Sequence, residues 1–537
     1  MPIPVLKQQD RLFITIGQND TSANYNTQDY ANDTVCFQEA LNSSENLVIF
    51  LKNSNPVNGF TTYELETVAL TTVKRLVLFS DGNVIIKQKA GTDQNVFNNY
   101  DYTQQPYTFN FLDYFETYGI TYDRNSDNQI IKNFTIFNFN CDTAQFPEQY
   151  GKGPTGHGEF YFHNIELNNN GWNDFESQAL GSGQSPIHIR SAEEVTIEKV
   201  KGNNNDALFA LSRISKITVK DVITKNFYFD SLYIVLSKNI YIENVLASGE
   251  GTGFGIYNCQ DVTVKNVLIK PILYTVQSVI SNTEFTANLP SNDDNRYGGA
   301  RTSFNGSYNR KMAVYWVSGN NANKLSASTD YVGSTKKITL VTSTIGNIQA
   351  GDTFYIGARE VHLDSEVGIN LDSENINLEN ISSFYPCKVD TNGDPFNAGA
   401  LLIGDDVTNC IARNITIVNP FSYGLETISS EAILENITVK NAGLSGIITR
   451  TTCYLSGIIK TTNNGFRNQS GDTDGLRIVD SPRMIIGCII SKGNVGFGIR
   501  SFGTSDYVVV NSGDLQGNTT GTYTLVGTNN KISSQVI

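Results

Sequence analysis

The chain has 537 residues and a formal charge of −14, with 39 Lys+Arg against 53 Asp+Glu. That balance excludes a broad basic surface for nucleic acid or an anionic membrane. The cysteines number seven, an odd count, and no Cys-x-x-Cys pair occurs, so neither a disulfide framework nor a zinc site is expected, and no cofactor is called for.

The start, MPIPVLKQQDRLF, lacks a basic segment followed by an apolar core, so no signal peptide is expected. No apolar run is long enough to span a bilayer, so no membrane insertion is expected either. Residues 1–30 read as an N-terminal arm or adaptor, with one strand in RLFITIG and a polar linker after it. Next, Asn32, Asp33 and Thr34 precede Phe37, Ala40 and Leu41, which share one helical face. A polar start before an apolar face is a helix N-terminus, and a short helix here would seal the open end of whatever follows. Strands then begin at NLVIFL and VKRLVLFSDGNVIIKQ.

From Glu193 the chain repeats a phrase: EEVTIEKV, SKITVKDV, KNIYIENV, QDVTVKNV. The key apolar residues Val195, Ile217, Ile240 and Val262 step by 22, 23 and 22 residues, and Ile415 to Ile437 steps by 22 again. A fixed period of this size marks a solenoid. Within each phrase apolar residues alternate, so the unit is a strand. A second short strand precedes each phrase, as in PIHIR, ALFALS, SLYIVLS and GFGIYN. Two or three strands per turn with Asn and Gly corners describe one coil of a parallel β-helix, with rungs about 4.8 Å apart. The recurrent Asn244, Asn266, Asn380 and Asn436 suit a turn ladder, because Asn accepts left-handed backbone.

The coil phrasing breaks between Pro271 and Gly357, where hairpin-like strands flank a stretch rich in Arg, Tyr and Asn. The expected division is therefore a β-helix over 31–270, an inserted small β-domain or long excursion over 271–358, and a second β-helical part over 359–537. Arg296, Tyr297, Arg301, Arg310 and Trp316 of the insert are candidates to touch sugar.

The segment DTVCFQEAL, followed by the VIFL strand, resembles the opening of pectate-lyase-like β-helix proteins, including phage tailspikes that depolymerise capsular polysaccharide. Where such openings carry Gly-Asp-Gly, this chain has TQDYAN. The resemblance implies an all-β, right-handed parallel β-helix that is usually trimeric and binds or cleaves a bacterial surface polysaccharide. It also implies a protein of the phage virion tail, made in the host cytoplasm.

Alternation places chemistry on one outer face. His188 and Arg190, Tyr233 and Tyr257 point outward, and Asp206, Asp230 and Glu250 stand before strands of consecutive coils. Glycoside hydrolysis needs two carboxyls, about 5–5.5 Å apart for retention and about 6.5–9.5 Å for inversion. One rung or two brackets those distances. Asp206, Asp230 and Glu250 are therefore the expected catalytic group, with His188, Arg190, Tyr233 and Tyr257 as binding residues. Trp172, Asp174 and Glu176, on the loop before His188, are further binding candidates, since aromatic faces suit pyranose rings. A second acidic patch is Asp405, Asp406 and Glu426. The fragments GHG (156–158), GDD (404–406) and DTDG (472–475) resemble pieces of polygalacturonase motifs, but their chain order is wrong for that family and they read as coincidence. Lyase chemistry on a uronate polymer, with His188 or a tyrosine as base and Arg190 as cation, stays open. So does a non-catalytic carbohydrate-binding adhesin.

Overall fold

A computed structural model describes residues 11–55, 59–92, 94–99, 112–125, 135–141, 157–171, 185–205, 208–227, 230–249, 252–290, 299–303, 306–310, 312–341, 346–356, 361–364, 373–385, 399–405, 407–467 and 472–537. The chain is a parallel β-helix with a capping helix and an inserted β-barrel, as the repeat and the break in it predict. It forms two compact units, 1–223 with 236–239, and 224–235 with 240–537.

In the first unit, Leu12–Gly17 pairs in parallel with Asn46–Leu51, which pairs with Arg75–Gln88, which pairs with Tyr114–Asp123. Glu159–His163 and Glu194–Glu198 continue the ladder. A second sheet runs from Val68–Ala69 through Phe97–Asn98, Phe137–Asn140 and Ile187–Arg190 to Phe209–Ser212. The helix Asp33–Asn42 starts where expected, with the Asn32 side chain accepting from Val35 N at 2.9 Å. Its buried face is Cys36, Phe37, Ala40 and Leu41, and Phe37 meets Tyr63 edge-on at 5.5 Å. The helix thus covers the apolar end that an unpartnered coil would expose. The core behind it is aromatic. Phe97, Phe115, Phe137, Phe139, Phe160 and Phe162 are all buried, and Phe97 stacks on Phe137 at 5.4 Å.

In the second unit the inward residues are mostly aliphatic, such as Ile376, Leu378, Ile415, Leu434, Ile437, Ile447 and Leu476. The asparagine ladder is present at its corner. Asn266 donates to Asn244 Oδ1 (3.2 Å), Asn380 to Asn266 (3.0 Å), Asn414 to Asn380 (3.1 Å) and Asn436 to Asn414 (3.2 Å). All five have φ between 54° and 57°, the left-handed region that Asn tolerates. Gly457 takes the next rung at φ 61°, where a Cβ would stand 2.2 Å from Asn436 Oδ1, and Asn436 there accepts from Ile458 N instead.

The insert is a closed antiparallel barrel of six strands, Tyr274–Val279, Glu284–Ala287, Met312–Trp316, Leu325–Val332, Lys337–Leu340 and Thr353–Ile356. Trp316 is fully buried and donates to Ser326 Oγ at 3.1 Å. It packs on Phe285 and Phe354 and fills the barrel core, so it does not touch sugar. Barrel residues Ala313, Tyr315, Ala327 and Tyr355 share one apolar cluster with Phe421 of the coils, and Tyr385 packs against it. All six described cysteines are free, and five of them are buried.

Candidate functional site

Of the residues singled out by alternation, Asp206, Glu250, Trp172, Asp174 and Glu176 lie outside the described residues, as do Arg296, Tyr297 and Asp406. Asp230 opens the strand Asp230–Val235, and its side chain is likewise outside them, as are those of Arg301 and Arg310. His188 and Arg190 are half-buried on the outward positions of Ile187–Arg190. His188 Nδ1 lies 3.0 Å from Asn138 Oδ1 on the neighbouring strand. Burial, with Arg190 adding to it, pushes the imidazole down to about 4, so it is neutral and weakly basic at neutral pH. Tyr233 and Tyr257, in the second unit, are half-buried with ring centroids 5.6 Å apart. Asp405 is exposed on the turn after Gly399–Ile403.

The described residues bring together a different group. Tyr423–Thr427, Ile447–Thr449, Leu476–Val479 and Phe497–Phe502 are successive parallel strands of the second unit's short-strand sheet. Their registers put Glu426 beside Ile448, Ile448 beside Arg477, and Arg477 beside Arg500. Glu426 is buried. Its Oε1 accepts from Arg450 Nε at 2.7 Å and its Oε2 from Gly399 N at 3.1 Å. Tyr423 donates its hydroxyl to Asp472 Oδ2 at 2.6 Å, and Arg477 forms an ion pair with Asp472 Oδ1. Arg477 also lies 3.9 Å from Asp474 Oδ2 and rests over the Phe502 ring at 4.1 Å. Arg500 lies 4.4 Å from the centre of the same ring, so the two neighbouring guanidinium groups share one aromatic ring.

Two carboxyls in this cluster stand in unlike surroundings. Asp472 is part-exposed and held by the Arg477 guanidinium and the Tyr423 phenol. Asp474 is fully buried. Its Oδ1 accepts from Phe497 N at 2.9 Å, while its Oδ2 has no hydrogen-bond partner among the described residues. Burial raises the Asp474 carboxyl to about 6, outweighing the Phe497 amide and the Arg500 and Arg477 charges. Tyr423 is pushed upward, first by burial and then by its bond to Asp472. Arg467 stands over the Phe421 ring at 4.3 Å, and burial lowers it to about 10.

Sequence reasoning reached part of this group. It set DTDG aside because of chain order, yet Asp472 and Asp474 are the acidic residues of that fragment. The missed signal was alternation itself. In LRIV and FGIRSF the arginines stand at outward positions between buried neighbours, Leu476 and Ile478 or Ile499 and Ser501, as His188 does in PIHIR. Among the described residues, no group of His, Cys, Asp and Glu is placed to hold a metal ion.

No family model and no curated protein matches this chain. Similar solved structures include the A-module of the Azotobacter vinelandii mannuronan C-5 epimerase AlgE4, at 12% identity and a TM-score of 0.35, covering 95% of this chain and 100% of that one. A siphovirus 9NA tailspike receptor-binding domain matches at 9% identity and a TM-score of 0.35, covering 98% of this chain and 77% of that one. The catalytic domain of a GH87 alpha-1,3-glucanase matches at 8% identity and 0.37, covering 93% and 67%. At such identities and scores, none of them says what this chain acts on.

Proposed function

We propose that this chain is a tailspike-like depolymerase that cleaves glycosidic bonds of a bacterial surface polysaccharide by carboxylate hydrolysis, with Asp472 and Asp474 as the working pair. One observation supports the reading. Two carboxyls that share Arg477 stand in unlike surroundings, Asp472 part-exposed and Asp474 fully buried, and burial raises Asp474 to about 6. Acid and base assignments in hydrolases arise from such a split. Asp472 is the member that meets solvent, and so serves as base or nucleophile. Asp474 carries the proton on Oδ2, which accepts no hydrogen bond among the described residues. Delivery of that proton to a glycosidic oxygen requires the Arg477–Asp472 pair to part as sugar enters.

Lyase chemistry is less well served. Tyr423 is shifted upward and His188 far downward, and each shift weakens the group as a base near neutral pH. The protein acts as a homotrimer in this proposal. Supporting that is a stripe of outward apolar residues on the second unit's long strands, where Ile433, Tyr454 and Ile485 are registered neighbours exposed by 37%, 52% and 40%.

The test is incubation with purified capsules and mass spectrometry of the products. Asp472→Asn and Asp474→Asn should each abolish shortened oligosaccharides while the fold stays intact. If both cleave at the wild-type rate while amide variants of Asp206, Asp230 or Glu250 do not, the centre lies with that trio. An unsaturated product would select the lyase.

A further inference from the structure

The long-strand sheet of the first unit turns an unusual set of side chains outward. Register places Phe50, Phe79, Tyr118 and His163 in one column across consecutive rungs. Phe50 and Phe79 are half-buried with centroids 5.1 Å apart, and Phe13, 56% exposed, joins them 6.3 Å from Phe79. Two neighbouring columns hold the acids and their phenols, Tyr114 beside Glu159 and Glu116 beside Tyr161. Tyr114 donates to Glu116 Oε2 at 2.6 Å, and Tyr161 donates to Glu159 Oε2 at 3.1 Å. The Tyr161 ring stacks on His163 at 6.0 Å with 16° between planes, and lies 5.4 Å from Tyr114. Tyr118 also borders a polar cavity of about 180 Å³ whose lining includes Asp81, Glu166, Lys199 and Lys201.

We infer that this face is a binding site for a neutral, hydroxyl-rich glycan chain laid across the rungs, separate from the Asp472 cluster. The rings supply faces against which the C–H side of a pyranose packs. Rungs about 4.8 Å apart repeat with a period comparable to one sugar unit. Glu159 is half-buried and fixed by Tyr161, and carboxylate oxygens accept hydrogen bonds from hydroxyls. Glu159 and its register neighbour Glu194 repel a uronate or sialate polymer, and they set like charges against each other in a second copy of this face. His163 is shifted downward by burial, so it adds a neutral ring and no competing cation.

The experiment is electrophoresis of the folded full chain through gels cast with polysaccharide. The neutral probes are dextran, mannan, galactan and a panel of neutral bacterial O-antigens and capsules, and polygalacturonate is the anionic one. Retardation by at least one neutral polymer is expected, and none by polygalacturonate. Phe79→Ala with Tyr118→Ala should weaken retardation at least tenfold. Phe79→Tyr with Tyr118→Phe keeps both rings and should preserve it. Tyr523→Ala, which removes an exposed aromatic elsewhere, should change nothing. No retardation by any neutral polymer overturns the inference. So does undiminished retardation in the alanine pair, or a fall in oligomer mass in that pair, which would make the face a subunit contact. Because the readout is binding, loss of cleavage at Asp472 neither mimics nor masks these outcomes.

Discussion

Rings and carboxylates alternate along the outer face of the first unit, from Phe13 to His163, over a core that is itself aromatic. In the second unit the long strands turn out Ile433, Tyr454 and Ile485 over an aliphatic core, and the short strands carry arginine against aspartate. Both units have the same coil geometry, so the backbone does not decide what each face does. Inward positions are constrained to fill volume, while outward positions are left to chemistry. Holding a polymer, as proposed for the first unit, suits flat rings and fixed acceptors, whereas breaking it, as proposed for the second, suits carboxyls in unlike surroundings.

The largest effect expected from that separation is on turnover. Positioned proton transfer contributes about 10²–10⁴-fold, so Asp472→Asn or Asp474→Asn should lower kcat by at least the lower figure. Phe79→Ala with Tyr118→Ala should instead raise KM and spare kcat. If the two sets exchange phenotypes, the assignment of roles is reversed. In the second unit, Tyr454→Lys with Ile485→Lys places two charges on adjacent rungs of the apolar stripe. Light scattering should then report the mass of one chain in place of three.

A core comparison comes next. Phe137 touches Phe97, Phe115, Phe139, Phe162 and Tyr122, so Phe137→Ala leaves a cavity among rings that cannot collapse into it. It should cost about 3–5 kcal/mol by chemical denaturation. Leu434→Ala among the aliphatic coils should fall at or below that range, about 2–5 kcal/mol. Equal costs would mean that the two cores relax alike.

Asp474 adds a pH dependence confined to the second unit. Its folded value of about 6 stands above the unfolded aspartate value of about 3.9. Between those values the folded state holds the proton that the unfolded chain has released. Stability therefore falls as pH rises through this window and levels off above it. Asp474→Asn should remove that slope and gain about 1–3 kcal/mol at pH 7.5. Activity of the wild type should decline as pH rises through about 6, if Asp474 is the proton donor. A slope that persists in the amide variant would place its origin elsewhere.

The coil was legible because its signal is repeated. A step of 22 or 23 residues, with valine and isoleucine alternating, leaves few folds open. The cap was legible because Asn32 stands directly before the apolar face it serves. The site was less so. The shift of Asp474 comes from burial, and its partners Phe497 and Arg500 lie on a rung that meets it only after coiling. Trp316 shows the reverse case, since a tryptophan in a stretch that breaks the coil phrasing reads as a residue to touch sugar until its barrel closes around it.

The smallest effect concerns the corner that keeps the coils of the second unit in register. Asn414 donates to Asn380, accepts from Asn436 and has φ 55°. Its side-chain amide is exposed, so each bond competes with water and is worth about 0.5–1.5 kcal/mol. The left-handed backbone adds a separate term, about 1–2 kcal/mol for a residue with an ordinary side chain. Asn414→Ala loses the bonds and incurs the backbone cost. Asn414→Gly loses the bonds but adopts the backbone freely, as Gly457 does one rung beyond Asn436. Melting of the two variants therefore divides the ladder into its parts. Alanine should destabilise more than glycine, by about the backbone term. Identical melting would assign the corner to hydrogen bonding alone, and an unchanged glycine variant would assign it to backbone conformation alone.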